Sequence, residues 1–350
     1  MAALAAGILL LVSGCTPKSC ELRAELAAGS RPGRYIPLRF VAQEPNRCGS
    51  AALSEVLTYW KAPRSEEPVL AAEVFSESLK GTLNVDLVTA ARRRGMVTRD
   101  GSSTMTELRS LVAAGYPAVV MINVGPYVLN RKHFLAVKGV DLERGYLMAD
   151  DGRRGDVVLR PRPFRRDWRA SKFWALYCWP PGKAPETATA EEQLRAGLIF
   201  EERGRTREAV AAYERARDGN PDLWEASFNL ANLSLAGGDL AGAEKQYRAA
   251  MAIKADEADV LNNLAYVLFK RGGAAAESEE LARRAVACAG ERTTARVRAR
   301  HTLGVVLAAA GRKGDACTEL RRAITEAREI KEEDLAAAAQ ADLDKLQGAR

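Results

Sequence analysis

The carboxy-terminal half of the chain repeats every 34 residues. Small and aromatic residues recur in two successive units, as Gly197, Ala209, Tyr213, Ala216 and Pro221, then Ala231, Ala243, Tyr247 and Ala250. After small insertions, a third unit continues with Leu264, Ala265 and Ala285, and a fourth with Leu303, Gly304, Ala316, Leu320 and Ala323. A repeat of this length buries its apolar face only by stacking on the next one. The sequence predicts an all-α helical solenoid over residues 190–348, with 334–346 as its closing helix.

This repeat resembles the tetratricopeptide repeat (TPR), in which small residues let two antiparallel helices pack closely. The resemblance implies a concave groove that binds a protein or peptide partner. An unrelated α-helical bundle is the alternative interpretation of the same alanine-rich sequence.

The residues before the repeats indicate a different fold. Short β-type segments fall at 35–41, 118–124, 134–140, 145–149, 156–159 and 173–178, and helical periodicity at 49–60, 68–78, 85–94 and 105–114. Helices first and strands later favour an α+β domain over residues 35–180. The proline-rich segment that follows predicts a linker at 181–189, and the mixture of charged residues with Ala and Gly predicts a tether at 16–34.

The first residues indicate export. The apolar run Ala2 to Val12 is too short to span a bilayer and is typical of a signal-peptide core. The following Val12-Ser13-Gly14-Cys15 resembles the lipobox of bacterial lipoproteins, with residues 1–15 as the signal peptide. That resemblance implies acylation of Cys15, a lipid anchor in the cell envelope and, with Thr16 next, the outer membrane facing the periplasm. A plain secretory signal is the alternative.

Composition argues against several classes of function. The net charge of +7 is modest for 350 residues and basic residues alternate with acidic ones, so no nucleic-acid partner is expected. With six Cys and two His but no Cys-x-x-Cys pair, no structural metal site is expected. A glycine-rich phosphate loop is absent from the sequence, so no nucleotide cofactor is expected either.

The segment from Gln43 to Leu53 carries the clearest chemical pattern. A Pro45-Asn46 turn leads to Cys48, which opens an amphipathic helix. A thiol at a helix amino terminus feels unpaired N–H groups that favour the thiolate, so Cys48 is a candidate nucleophile. Gln43, five residues upstream, is a candidate oxyanion donor.

A thiol nucleophile needs a base, and His133 is the candidate because it begins an apolar strand. The next strand ends in Asp150-Asp151, where a carboxylate is expected to orient the imidazole. The choice between Asp150 and Asp151 stays open.

The order Gln43, Cys48-Gly49, His133, Asp150 resembles the C39-type, papain-like cysteine peptidases. The resemblance covers about residues 35–180 and implies Cys48 as nucleophile, His133 as base, Asp150 as orienting acid and Gln43 as oxyanion donor. It also implies a peptide or protein substrate cleaved after small residues such as Gly-Gly. A non-catalytic TPR scaffold and a papain-like acyl or peptidyl transferase remain as alternatives.

Overall fold

The computed structural model describes residues 19–125, 131–272 and 274–348. The chain divides between Ala188 and Thr189 into two structural units. The first unit contains helices and strands, whereas the described part of the second contains helices without strands. Within the described ranges, no helix combines the length and the apolar character that a bilayer span requires.

The first unit is an α+β domain. Its described helices are α1 (Ser19–Ala27), α2 (Cys48–Tyr59), α3 (Glu67–Val74), α4 (Asn84–Arg93), α5 (Met105–Ala114) and α6 (Pro161–Arg169). Its described strands are β1 (Gly33–Tyr35), β2 (Phe75–Ser76), β3 (Gly81–Thr82), β4 (Val97–Ser102), β5 (Ala118–Asn123), β6 (Lys132–Asp141), β7 (Leu147–Asp150), β8 (Val157–Leu159) and β9 (Trp174–Trp179).

One antiparallel sheet contains all of these strands except β2 and β3, which pair with each other. Its order is β4-β9-β5-β6-β7-β8, and β1 pairs with part of β6. The apolar middle of β6, residues 134–137, is buried. The register of β6 against β7 shifts between Val137 and Gly139. Such a bulge redirects the extra residue, here Lys138, relative to a regular strand.

Helix α2 packs against β6. Its side chains Leu53, Val56 and Leu57 are completely buried. The turn before the helix contains Asn46 in the left-handed region, with a φ of 65°. Asn adopts this conformation more readily than most residues, so this turn directs the chain into α2 at Cys48.

The segment 16–34, predicted as a tether, is structured in its described part. Leu22 and Leu26 lie four residues apart on α1, and both are buried with Met148 in one apolar cluster. Strand β1 adds residues to the edge of β6. The two leucines share one helix face, and burying them attaches this segment to the domain.

The second unit is a helical solenoid, as the repeat predicts. Its described helices are α7 (Ala190–Glu202), α8 (Thr206–Gly219), α9 (Trp224–Ala236), α10 (Leu240–Ile253), α11 (Ala258–Arg271), α12 (Ala275–Cys288), α13 (Thr294–Ala309), α14 (Lys313–Glu329) and α15 (Glu333–Gly348). A Cβ at Gly197 would collide with the ring of Tyr213, and one at Gly304 would lie 2.7 Å from Leu320 Cγ. The small repeat positions therefore allow the close approach of paired helices.

Candidate active site

The Cys48 thiol occupies the first residue of α2. The backbone N–H groups of Phe134, Cys48 and Gly49 lie near the sulfur and favour its negatively charged form. A Cβ at Gly49 would lie 3.1 Å from Thr82 Cβ and 3.3 Å from a ring carbon of Phe134. Gly49 therefore lets the first turn of α2 approach β6 closely enough for the Phe134 N–H to reach the thiol. Three N–H donors around one sulfur form a site that stabilises negative charge.

Burial opposes these donors. It raises the pKa of the Cys48 thiol above that of an ordinary cysteine, and the backbone N–H groups offset part of this effect. At neutral pH the sulfur is therefore protonated. A nucleophilic reaction at Cys48 requires a base that removes this proton.

The His133 imidazole is oriented by a backbone carbonyl. Its Nε2 lies 2.9 Å from the carbonyl oxygen of Asp151. Because a carbonyl oxygen only accepts hydrogen bonds, Nε2 carries the proton and Nδ1 keeps the lone pair. Burial lowers the pKa of His133, although the Asp151 carbonyl raises it in part. The ring is therefore neutral at neutral pH, and Nδ1 is its proton acceptor.

The two candidate acids have other partners. Asp150 is 1% exposed, and its carboxylate accepts hydrogen bonds from Lys138 Nζ at 2.7 Å and from the backbone N–H of Asp156 at 2.8 Å. The Asp151 carboxylate accepts from the backbone N–H groups of Arg153 and Arg154, at 2.9 and 2.6 Å. The group that accepts the hydrogen bond of His133 is the backbone carbonyl of Asp151. The sequence analysis did not predict it, because a backbone carbonyl has no sequence signature.

Gln43 lies against the turn that follows β7. Its backbone N–H donates to the carbonyl oxygen of Gly152 at 2.8 Å. A Cβ at Gly152 would overlap the Gln43 side-chain amide, and Gly152 has a φ of 73°. The turn that presents the Asp151 carbonyl to His133 therefore also contacts the candidate oxyanion donor. Glycine at 152 was a sequence signal for this contact, since only glycine combines that φ with so close an approach.

The comparisons with known proteins agree with this architecture. Residues 35–175 match the Peptidase_C39 like family, and residues 201–265 match the tetratricopeptide repeat. The chain joins a C39-like domain to TPR repeats. A search of curated proteins finds no match.

Several solved structures are similar to parts of the chain. The peptidase domain of Streptococcus ComA, a bifunctional ABC transporter involved in quorum sensing, is 22% identical, with 41% of this chain and 99% of that one covered and a TM-score of 0.35. PilW, a type IV pilus biogenesis factor, is 19% identical, with 48% and 80% covered and a TM-score of 0.36. PilF of Pseudomonas aeruginosa is 18% identical, with 46% and 93% covered and a TM-score of 0.35.

Within the C39-like domain, three of the predicted residues, Cys48, His133 and Gln43, lie at two neighbouring segments, which are the start of β6 and the turn at residues 151–152. Cys48 contacts the backbone of Phe134, the residue after His133. The segments of His133 and Gln43 both contact the turn at residues 151–152. The predicted lipidation site, Cys15, lies outside the described residues.

A buried group of acids next to this site had no sequence signal. Glu55 of α2 is 1% exposed, and its Oε1 accepts a hydrogen bond from the backbone N–H of Val41 at 2.9 Å. Asp150 and Lys138, which pair with each other, lie beside Glu55, and both affect the ionisation of Glu55. Charged residues on α2 and β6 are usually expected on a solvated face, so only the fold places them together.

Proposed function

We propose that the C39-like domain is a cysteine peptidase in which Cys48 attacks a peptide carbonyl and His133 transfers the proton. The observation that supports this most directly is the tautomer of His133. With Nε2–H donating to the Asp151 carbonyl, Nδ1 is the acceptor, and the neighbouring residue Phe134 contacts the Cys48 sulfur through its backbone N–H. The proposed base thus stands next in the chain to the residue whose backbone N–H lies against the proposed nucleophile.

The reaction follows from these protonation states. His133 Nδ1 takes the Cys48 proton as sulfur bonds to the carbonyl carbon, because both groups are neutral at rest. His133 then protonates the leaving amine as the carbon–nitrogen bond breaks, which leaves an acyl-enzyme. Water, deprotonated by the same imidazole, releases a peptide carboxylate and restores the thiol.

The oxyanion that forms during attack needs hydrogen-bond donors. The backbone N–H of Cys48 lies near its sulfur at the start of α2, and the Gln43 amide lies against Gly152 in the turn after β7. We assign Gln43 the role of side-chain donor, with the Cys48 N–H as its backbone counterpart. Removing one such donor from an enzyme typically lowers kcat by about 10²- to 10³-fold.

The repeats support a role in recruitment. TPR repeats and a peptidase-like domain both imply contact with proteins or peptides, and a solenoid offers a long surface for an extended segment. In this proposal the repeats bind the substrate or a protein partner of the peptidase. Crosslinking of the intact chain tests this proposal, and the expected crosslinks join the partner to residues of the repeats.

The proposed location is the bacterial cell envelope. The Val12-Ser13-Gly14-Cys15 motif supports a lipid anchor on Cys15, and the residue after it supports the outer membrane facing the periplasm. Mass spectrometry of the protein from membranes tests this directly. A diacylglyceryl-modified amino-terminal Cys15 is expected, and an unmodified cleaved terminus in the soluble fraction would reject the anchor.

The activity is tested with a peptide vinyl sulfone that ends in Gly-Gly. Labelling is expected at Cys48, to disappear in Cys48→Ala and to fall by about 10²-fold or more in His133→Ala. The exposed thiols Cys20 and Cys288 are controls within the same molecule, and Cys288→Ser should label normally. If Cys48 reacts no faster than Cys288 and ignores loss of His133, the non-catalytic scaffold is favoured.

Product analysis separates hydrolysis from transfer. A peptide library digested in the presence of a free amine should yield new carboxyl termini in the wild type and none in Cys48→Ala. A product joined to the amine would instead indicate a peptidyl transferase.

A further inference from the structure

Three acidic side chains and one lysine lie together next to the candidate active site. Lys138 Nζ is 2.7 Å from the Asp150 carboxylate and 2.9 Å from that of Asp156, and Lys138 is 2% exposed. Asp156 has a second cation, Arg23, at 3.0 Å. Glu55, 1% exposed, is the third acid of this group, because Asp150 and Lys138 both act on its ionisation. The β6 bulge at Lys138 is what brings a lysine into this position.

The charges of this group do not balance if all three acids are ionised. Lys138 compensates Asp150 and Arg23 compensates Asp156, and the Tyr35 hydroxyl also donates to Asp156 at 2.9 Å. Glu55 then adds an uncompensated negative charge in a buried site beside Asp150. An unpaired buried carboxylate is strongly unfavourable, so the acid takes up a proton instead.

The hydrogen bonds of Glu55 agree with a neutral carboxyl group. Its Oε1 accepts from the Val41 N–H, while its Oε2 is buried without a partner at regular hydrogen-bond geometry. Asp150 is the acid next to it, and two carboxylates offer only acceptors to each other. A proton on Oε2 converts that atom into a donor toward Asp150. Burial and then Asp150 raise the pKa of Glu55, which supports the same protonation state.

We propose that Glu55 is a positioning residue whose uncharged carboxyl group connects the helix of Cys48 to the strand end that orients His133. Glu55 lies two turns along α2 from Cys48. Its Oε1 accepts a hydrogen bond from the backbone N–H of Val41, which lies two residues before Gln43. Glu55 also lies beside Asp150, and the carbonyl of the next residue, Asp151, accepts the hydrogen bond from His133. One buried group therefore joins the three segments that the proposed peptidase chemistry uses, and this inference rests on that proposed function.

The protonation state is tested by stability, which needs no activity. An acid whose pKa is raised on folding contributes stability that is full at low pH and is lost as pH rises toward the folded pKa. Glu55→Gln keeps the shape, the acceptor for the Val41 N–H and a donor toward Asp150, without a titrating proton. From pH 5 to pH 8, the unfolding equilibrium constant of the wild type should rise relative to Glu55→Gln by up to about tenfold per pH unit.

The exposed Glu77→Gln is the matched control and should show no such pH-dependent difference from the wild type. The ionisable groups around Glu55, namely Asp150, Lys138, Asp156, Tyr35 and Arg23, remain in every variant. A ratio that is constant with pH, or that moves in the opposite direction, overturns the inference even if the peptidase is active.

The positioning role is tested by the rate of Cys48 labelling with the vinyl sulfone. Glu55→Ala should lower this rate by about tenfold or more, because the reacting groups lose their fixed geometry, and Glu55→Gln should restore most of it. The wild type should lose labelling at alkaline pH before Glu55→Gln does. If the stability result holds and Cys48 is inert in every variant, the proposed function fails while the neutral buried acid stands. Equal labelling of Glu55→Ala and the wild type rejects the positioning role.

Discussion

The imidazole Nε2 of His133 donates its hydrogen bond to the main-chain carbonyl of Asp151, at 2.9 Å. The side chains of Asp150 and Asp151 serve other contacts: one pairs with Lys138 and the other caps the turn at residues 153–154. In a triad, a carboxylate performs the task that this carbonyl performs here. A carbonyl fixes the tautomer but offers a developing imidazolium less charge than a carboxylate.

Replacing the Asp151 side chain is therefore expected to have a small effect. Asp151→Asn keeps both the carbonyl and a side-chain acceptor for the turn, so kcat/KM should fall less than about tenfold, whereas loss of a true triad acid lowers kcat by about 10⁴-fold. His133→Ala is the reference for complete loss of the base. A loss of about 10⁴-fold in Asp151→Asn would mean that its carboxylate turns toward His133 during the reaction.

The pH dependence of labelling at Cys48 follows from the two neutral groups. Burial lowers the pKa of His133 from 6.5, so the imidazole remains a base below that pH. The acid limb of the rate profile should therefore have its midpoint below pH 6.5. The Cys48 thiol has a raised pKa, so no thiolate accumulates at neutral pH and an iodoacetamide reaction should be slow there.

The two profiles distinguish this arrangement from a preformed ion pair. A thiolate–imidazolium pair would react rapidly with iodoacetamide at pH 5 to 6, and that result would contradict the neutral resting state. Exposed Cys288 supplies the rate of an ordinary thiol in the same sample.

Most of the elements that carry the site were predictable from sequence periodicity. Helix α2 begins at Cys48 and β6 includes His133, because the apolar spacing and the Pro45-Asn46 turn are strong local signals. Strand β4 and helix α6 were not predicted. The first contains Arg99-Asp100-Gly101 and the second four arginines, so local pattern alone suggests loops. Pairing with β9 and burial of Phe164 and Trp168 override that pattern.

The sequence could not indicate the partners of the polar side chains. Asp150 was assigned to His133 on resemblance, and its pairing with Lys138 depends on the register shift between β6 and β7. A one-residue bulge has no clear signature in a run such as Val137-Lys138-Gly139. Glu55 likewise reads as a solvated position on a helix, because the acids beside it come from other parts of the chain.

Gly152 is expected to be essential for the geometry of the turn that contacts Gln43. In Gly152→Ala, the new Cβ overlaps the Gln43 amide and the backbone keeps a φ of 73°, so the turn and the proposed oxyanion donor Gln43 must shift. The kcat/KM for peptide cleavage should fall by about tenfold or more, in keeping with a strain of about 1–3 kcal/mol.

Gly29→Ala is the matched control for backbone strain. Gly29 has a φ of 69°, and nothing lies within 4 Å of a Cβ built there. It should lose a similar amount of stability while kcat/KM is unchanged. Equal kinetic losses in both variants would show that strain alone, and not the contact with Gln43, causes the effect.

Gly197 should be sensitive to the smallest enlargement, because the Tyr213 ring fills the space above its Cα. Tyr213 is fully buried, and its hydroxyl donates to Glu201 at 2.7 Å, so the ring has little freedom to move aside. Gly197→Ala should destabilise the repeats by about 1–3 kcal/mol through overpacking. Gly314, the second residue of α14, has open space at its Cβ, and Gly314→Ala should stabilise by about 0.4–1 kcal/mol because alanine restricts the unfolded chain. Urea denaturation followed by far-ultraviolet circular dichroism measures both. Stabilisation by both substitutions would contradict the close helix packing that the repeat requires at residue 197.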